Sequence, residues 1–201
     1  CPLAAGAAFR IRYEREDDIV VCYLGDAATC QGAFHEALNM ASAWHLPVLY
    51  IIENNQYGMG TDIRRTTNID HLWKRALAYD MDHSDIDGMD VLAMHDHVTD
   101  IVKSMRENPR PYLLEAMTYR YRGHSVSDPA TYRTKEEVKK YQELDPIKKL
   151  GEQLTADKVV TEDDLKTWDK EARAKVKEVE KLADDMPIPD ISAAYEHVLA
   201  D

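Results

Sequence analysis

The chain has 201 residues, a formal net charge of -12 and 44% hydrophobic residues. That length and apolar share can bury a real core, with one domain and a helical appendix as the expected organisation, while the acidic balance argues against nucleic acid and anionic membrane surfaces as partners. The longest apolar stretch, around residues 46–52, falls far short of the roughly 20 residues a membrane span needs, and an odd number of cysteines at unpatterned positions fits a reducing compartment.

The first informative element is the apolar run Ile19-Val20-Val21-Cys22-Tyr23-Leu24-Gly25, read as a strand that ends at Asp26. Cys22 in mid-strand is core rather than chemistry. Ala27-Ala28-Thr29 follows, small residues that let backbone N–H groups and the positive end of a helix dipole approach a phosphate. Residues 31–44 are predicted as a crossover helix, with Phe34, Ala37, Leu38, Ala41 and Trp44 on its buried face and Leu46-Pro47 as its stop. A second strand, Val48-Leu49-Tyr50-Ile51-Ile52, runs to Asn54-Asn55, with Tyr57 close behind.

Two strands thus deliver oxygen ligands to the carboxyl end of an open parallel sheet, where such sheets bind ligands. Magnesium takes hard oxygen ligands and is usually held by one or two carboxylates together with phosphate oxygens. A diphosphate already brings several negative charges, so one aspartate with neutral amide and carbonyl oxygens suffices, and more carboxylates would repel the ligand. Singly, an aspartate or an Asn-Asn after a strand is more often a cap or turn; the pair at one crossover's separation, followed by Gln56-Tyr57-Gly58-Met59-Gly60, favours a magnesium and diphosphate site.

Farther along, Val91-Leu92 is predicted to close a short strand-like segment, residues 97–106 to form a helix with Val98, Ile101, Val102 and Met105 inward, and Tyr112–Met117 to form the next strand. The resulting order describes a doubly wound α/β layer. The loop 119–133 is rich in arginine and tyrosine and contains His124; its place after a strand of the same sheet, with arginines able to pair with phosphate or carboxylate, makes His124 a candidate site residue. His83, His95 and His97 fit no metal triad, and His35 and His45 are assigned no chemistry. From Lys135 the chain turns to charged helices. Leu165, Trp168, Ala172, Val176, Val179 and Leu182 mark an apolar face for packing or subunit contact, and Met186-Pro187-Ile188-Pro189-Asp190 breaks that helix before a last short one over residues 191–199.

The stretch Gly25-Asp26-Ala27-Ala28-Thr29-Cys30-Gln31-Gly32-Ala33-Phe34-His35-Glu36, continuing to Glu53-Asn54-Asn55-Gln56-Tyr57-Gly58-Met59-Gly60-Thr61, resembles the thiamine diphosphate motif of the 2-oxo acid dehydrogenases, which runs from Gly-Asp-Gly to Asn-Asn. The likeness is to the alpha subunits of that family. It extends through Asp87-Gly88-Met89-Asp90, Thr118-Tyr119-Arg120-Tyr121-Arg122-Gly123-His124-Ser125-Val126-Ser127-Asp128-Pro129 and Tyr132-Arg133-Thr134, and is least specific over the last sixty or so residues. It implies a thiamine diphosphate-binding α/β domain over residues 1–134, a doubly wound, mostly parallel sheet with flanking helices, and a helical C-terminal extension over 135–201 that packs on it and on partner subunits.

By the same resemblance Asp26, the Asn55 side chain and the Tyr57 backbone carbonyl would bind magnesium. The backbone at Ala27 and Ala28 would hold the diphosphate, and His124 would order the cofactor and its loop, as a catalytic-site residue, and admit a lipoyl arm. Ser125 matches a serine phosphorylated for regulation in animal relatives. The implied activity is oxidative decarboxylation of a 2-oxo acid, pyruvate in the first place, with transfer of the acyl group to lipoyl-lysine on an acyltransferase. A beta subunit would complete the catalyst in an alpha2-beta2 heterotetramer, cytoplasmic in a bacterium and in the mitochondrial matrix or plastid of a eukaryote. Branched-chain 2-oxo acids or acetoin are the alternative substrates, and a cofactor-free structural or interaction subunit is the alternative of another class.

Three departures shape these expectations. Ala27 stands where the family motif has glycine, and a positive φ there would cost about 1 kcal/mol of strain. Cys30 replaces a frequent asparagine. The opening residues from Cys1 match the middle of the family's subunit, so an N-terminal portion with further diphosphate and pyrimidine contacts is expected outside this chain.

Overall fold

The computed structural model describes residues 1–196. Its contacts divide the chain into a first compact unit, Cys1–Leu150, and a second that begins at Gly151.

The first unit is built on a four-stranded, wholly parallel sheet. Its strands are β1 (Val20–Gly25), β2 (Val48–Asn54), β5 (Asp82–Asp87) and β6 (Tyr112–Met117), in spatial order β1-β2-β6-β5. A two-stranded antiparallel hairpin, β3 (Tyr57–Gly58) and β4 (Thr61–Asp62), follows β2 directly. Parallel neighbours need crossovers. Helix α2 (Gly32–Ala43) joins β1 to β2, and α3 (Val91–Glu107) joins β5 to β6.

Strand β2 is the middle of the core because its apolar run is continuous, which suits burial on both faces. Val48, Tyr50 and Ile52 point to one side, where they meet Phe34, Leu38 and Ala41 of α2 and Ala5 and Ala8 of the first helix, α1 (Pro2–Glu14). Leu49 and Ile51 point to the other side, packed with Leu114 and Ala116 of β6 and Ile101 and Met105 of α3. Helices therefore flank both faces. Pro2 in the first turn suits the helix start, and α1 stops at Arg15, which has a left-handed φ of 59; its own N–H donates to the Arg12 carbonyl and the Glu16 N–H to the Ile11 carbonyl.

Several predicted elements differ from the observed ones. The crossover helix spans Gly32–Ala43, and Trp44 is not on its buried face but 46% exposed, with its ring edge-on to Phe9 at 5.4 Å. Trp44 lies just past the last helical turn, where the backbone turns away to bring Leu46 back into the core. Val91 and Leu92 do not close a strand; they open α3, which Asp90 caps by accepting from the Ala93 N–H at 2.9 Å. The strand before it is Asp82–Asp87, an edge strand whose sequence Asp-His-Ser-Asp-Ile-Asp has no apolar run. The last short helix is of the 3-10 kind over Ile191–Tyr195, and the part of the segment predicted to 199 from position 197 onward lies outside the described residues.

After β6 come α4 (Lys135–Gln142), α5 (Pro146–Ala156) and α6 (Glu162–Asp185). Within the second unit α6 begins with a capping box, Thr161 and Asp164 each accepting from the other's backbone N–H. Leu165 packs against Gly151, where a β-carbon would approach to 3.3 Å. Trp168, Val176, Val179 and Leu182 are exposed. Among the described residues no helix is long and apolar enough to cross a membrane.

Urea unfolding separates the two kinds of aromatic and aliphatic position. Leu114→Ala, at a fully buried position, is expected to cost about 2–5 kcal/mol, and Trp44→Ala about 1 kcal/mol or less, the loss of one edge-on ring contact; equal costs would contradict the packing described.

Candidate functional site

The strand register decides what meets at the carboxyl end of the sheet. Gly25 pairs with Glu53 and Asn54 with Met117, so the turns after β1, β2 and β6 emerge side by side. Residues Asp26–Cys30 form a 3-10 turn rather than the first turn of α2, which starts only at Gly32. The small residues expected just before the helix form this separate turn, with Ala27 exposed and Ala28 half-buried.

Asp26 is 2% exposed, and its Oδ2 is buried without a hydrogen-bond partner. Burial raises its carboxyl above the usual range; backbone N–H groups of Asp26, Ala27 and Asn55, and the charge of Arg120, pull it back. A buried carboxylate oxygen left unpaired is costly unless a cation or donor comes to it. Its surroundings offer a hard oxygen donor set and one negative charge.

The opposite wall is the turn after β2. Asn54 is buried, its Oδ1 accepting from the Gln56 N–H at 3.0 Å and its Nδ2 donating to Glu115 Oε1 at 2.7 Å. Asn55 is only half-buried, and its Oδ1 accepts from the Tyr57 N–H at 3.2 Å. Both amides accept within the turn, Asn54 from the Gln56 N–H and Asn55 from the Tyr57 N–H, and Asn55 is the more exposed of the two. Gln56 and Met59 adopt left-handed φ values of 71 and 55, which the tight return into the hairpin requires.

Ala27 does not carry the strain expected of it. It is absent from the left-handed residues, and the constraint lies across the site at Gly58, where an added β-carbon would come within 2.5 Å of the Ala27 Cβ. Glycine is needed, but on the hairpin side. Sequence reading looked for it at the turn.

The loop after β6 is tied to the hairpin by cations and phenols. Arg120 donates to the Tyr57 carbonyl at 3.4 Å, to the Met59 carbonyl and to the Tyr132 hydroxyl at 3.1 Å. Arg133, 8% exposed, donates to the carbonyls of Arg120, Tyr121 and Arg122 and lies 5.3–6.0 Å from the ring centres of Tyr57, Tyr119 and Tyr132. Glu137 of α4 accepts from the hydroxyls of both Tyr57 and Tyr119, at 2.9 and 2.8 Å. Burial and that carboxylate push the Tyr57 phenol up to about 12.

His124 is exposed in this loop, and its backbone N–H donates to Asp128 Oδ2 at 2.7 Å. Asp128 also accepts from the Tyr132 hydroxyl at 2.9 Å, so a chain of contacts runs from His124 through Asp128, Tyr132 and Arg120 to the Tyr57 carbonyl. The backbone N–H groups of His124 and Ala130, the latter donating to Asp128 Oδ1 at 2.8 Å, hold the Asp128 carboxyl below the usual range. Ser125 is exposed with its Oγ 3.1 Å from that of Ser127. Gly123 is obligatory in a plain steric sense: a β-carbon there would sit 2.7 Å from the Asp128 carbonyl oxygen.

Arg75 was missed in the sequence, having no local signal. Its Nη1 donates to the Thr29 carbonyl at 2.6 Å and contacts His35 Nε2 at 2.9 Å, supporting the turn that carries Ala27 and Ala28 from below. Glu115, Arg133 and Glu137 were missed too. A charged residue amid Leu113-Leu114-Glu115-Ala116 was the one available signal among them. Among the described residues no group of three or more His, Cys, Asp or Glu side chains could hold a metal; His97 instead bonds Ser84 at 2.7 Å, and His83 stacks on Trp73 at 4.7 Å. A cation here would depend on amide, carbonyl or ligand oxygens beside Asp26.

Comparison with known proteins bears on the same residues. The model of the family described as "Dehydrogenase E1 component" matches residues 1–192. The pyruvate dehydrogenase E1 component subunit alpha of Rickettsia conorii is 43% identical over 197 residues, 98% of this chain and 60% of that protein. The subunit of the same name from Rhizobium meliloti is 42% identical over 98% of this chain and 57% of its own length. The chloroplastic subunit alpha-3 of Arabidopsis thaliana is 38% identical over 100% of this chain and 48% of its own. This chain thus spans at most about 60% of the length of these relatives.

The contact between Ala27 and Gly58 is open to a double-mutant test. Gly58→Ala is expected to destabilise the fold by about 1–3 kcal/mol, and Ala27→Gly in the same chain to recover most of that loss; chemical denaturation of the two variants and the double variant measures the coupling.

Proposed function

The chain belongs to the dehydrogenase E1 component family, and from that premise we propose that it is part of the alpha subunit of a pyruvate dehydrogenase, the portion that holds magnesium and the diphosphate of thiamine diphosphate. The observation that carries the proposal is the buried, unpartnered Asp26 Oδ2 beside the Asn54-Asn55 turn. One carboxylate and neutral oxygens at adjoining strand ends suit a magnesium ion shared with a diphosphate.

In this reading Asp26 and the Asn55 side chain bind the metal, with the Tyr57 backbone carbonyl as the third protein oxygen. Arg120 already donates to that carbonyl at 3.4 Å, so metal binding would draw its oxygen lone pairs away from the guanidinium. The backbone at Ala27 and Ala28 would hold the diphosphate, and the Arg75 contact with the Thr29 carbonyl keeps their turn in place. Thiamine diphosphate, when bound, supplies the electron sink for decarboxylating a 2-oxo acid. The protein's residues bind and orient it, and His124 with its loop orders the entrance through which a lipoyl arm would reach the site.

Pyruvate is favoured over branched-chain 2-oxo acids by the names of the relatives and by the run Ser127-Asp128-Pro129 with Tyr132-Arg133-Thr134. A beta subunit in an alpha2-beta2 assembly and the lipoyl domain of an acyltransferase are the proposed partners. Ser125 is the proposed phosphorylation site: a phosphate there would add charge close to the Asp128 carboxylate and its backbone donors. Of the two supports for a cofactor-free subunit, the one from Ala27 falls away, since Ala27 has no left-handed φ.

Calorimetry of the full-length protein with its partner subunit tests the proposal. Wild type is expected to bind thiamine diphosphate only with magnesium present, and Asp26→Asn to weaken that binding by about 100-fold or more; magnesium-independent or absent binding in wild type would overturn it. Turnover with an artificial electron acceptor should be greater on pyruvate than on branched-chain 2-oxo acids.

A further inference from the structure

Glu115 is 0% exposed, on the central strand β6, and neither the metal nor the diphosphate proposal uses it. Both of its oxygens are engaged, and each accepts from a different part of the site. Oε1 takes the Asn54 amide at 2.7 Å; Oε2 takes the backbone N–H of Trp73 at 3.1 Å.

The first contact fixes which way the Asn54 amide faces. With Nδ2 held by Glu115, Oδ1 is turned to the Gln56 N–H, and this bond closes the turn that presents Asn55 and Tyr57. An amide rotated by half a turn would set a donor against that N–H. The second contact holds the start of the 3-10 segment Leu72–Tyr79, the segment that carries Arg75 to the Thr29 carbonyl. One buried carboxylate therefore reaches the metal-side turn through Asn54 and the diphosphate-side turn through Trp73 and Arg75.

We propose that Glu115 is a positioning residue that sets the metal-binding turn and the diphosphate-binding turn in register with each other, acting through Asn54 and Trp73. The proposal rests on the cofactor reading above. It differs from a general core role in one respect: it depends on the pattern of donors and acceptors, not on volume or charge. The Glu115→Gln change keeps the shape but introduces an NH₂ group, which must face either the Asn54 amide or the Trp73 N–H, both donors themselves. The Asn54→Asp change sets an acceptor against an acceptor. Making both changes restores the match: the new amide on β6 donates to the new carboxylate in the turn and accepts from Trp73, while that carboxylate still accepts from the Gln56 N–H. The pair then keeps one carboxylate and one amide, with their places exchanged.

The test measures magnesium-dependent thiamine diphosphate binding by calorimetry, in the full-length protein with its partner subunit, for wild type, Glu115→Gln, Asn54→Asp and the double variant. Folding is followed by circular dichroism. Each single variant is expected to bind at least about ten-fold more weakly than wild type, and the double variant to recover most of the loss. Single variants that bind as wild type does, or a folded double variant that binds no better than the singles, would overturn the proposal. If a single variant does not fold, the double variant decides: recovery of folding and affinity supports the role, and their absence overturns it. A wild type that binds no cofactor instead sinks the cofactor reading, which separates the two failures.

Discussion

Gly25 is paired with Glu53 and Asn54 with Met117, and every group at the carboxyl end of the sheet depends on that registration of three parallel strands. Strand β2 is buried on both faces between two hydrophobic clusters. A slip of one residue would exchange the two sets of side chains, putting Tyr50 and Ile52 where Leu49 and Ile51 pack. The cost of repacking both layers is what holds the Asp26 turn and the Asn54-Asn55 turn at one depth. Precision at the site thus starts in the core, and side-chain contacts such as those of Glu115 and Arg120 act on turns that the core has already brought together.

The loop after β6 is held by a different kind of interaction. It has no regular structure between Met117 and Lys135, yet Arg133 satisfies three successive carbonyls and lies against three tyrosine rings. A guanidinium suits this because its planar fork can donate in several directions while its faces stack on aromatic rings. Glu137 then joins Tyr57 of the hairpin to Tyr119 of the loop through one carboxylate. The order of the loop and the geometry of the hairpin consequently share their fastenings.

The strands β2 and β6 and the crossover helix were legible because their apolar residues are the buried ones, and β1 because it carries an apolar run at its edge of the sheet although Val21 and Tyr23 are exposed. Strand β5 was not legible: its residues Asp82, His83, Asp85 and Asp87 sit on an edge strand, and no apolar pattern marks it. Trp44 was misread because the three-and-four spacing continues one step past the point where the helix stops. Asp26 and Asn55 could be singled out as candidates because both follow apolar runs. Glu115, Arg75 and Glu137 could not be assigned roles, since their partners are the remote residues Asn54, Thr29, Tyr57 and Tyr119, and one sequence does not display such pairings. Glycine at 58 was visible as a letter, but its reason lies in the methyl group of Ala27.

The narrow gap between the turn after β1 and the hairpin after β2 has room for one β-carbon, contributed here by Ala27. Two positions far apart in sequence therefore share a single steric allowance, and what is tolerated at one depends on which residue the other holds. For a lineage this makes history matter. A chain can pass from alanine at 27 with glycine at 58 to the reverse arrangement through an intermediate with glycine at both, where the backbone is merely looser, but hardly through one with a side chain at both. The order in which the substitutions arise, and not only their identity, would then govern which versions of this motif are reachable.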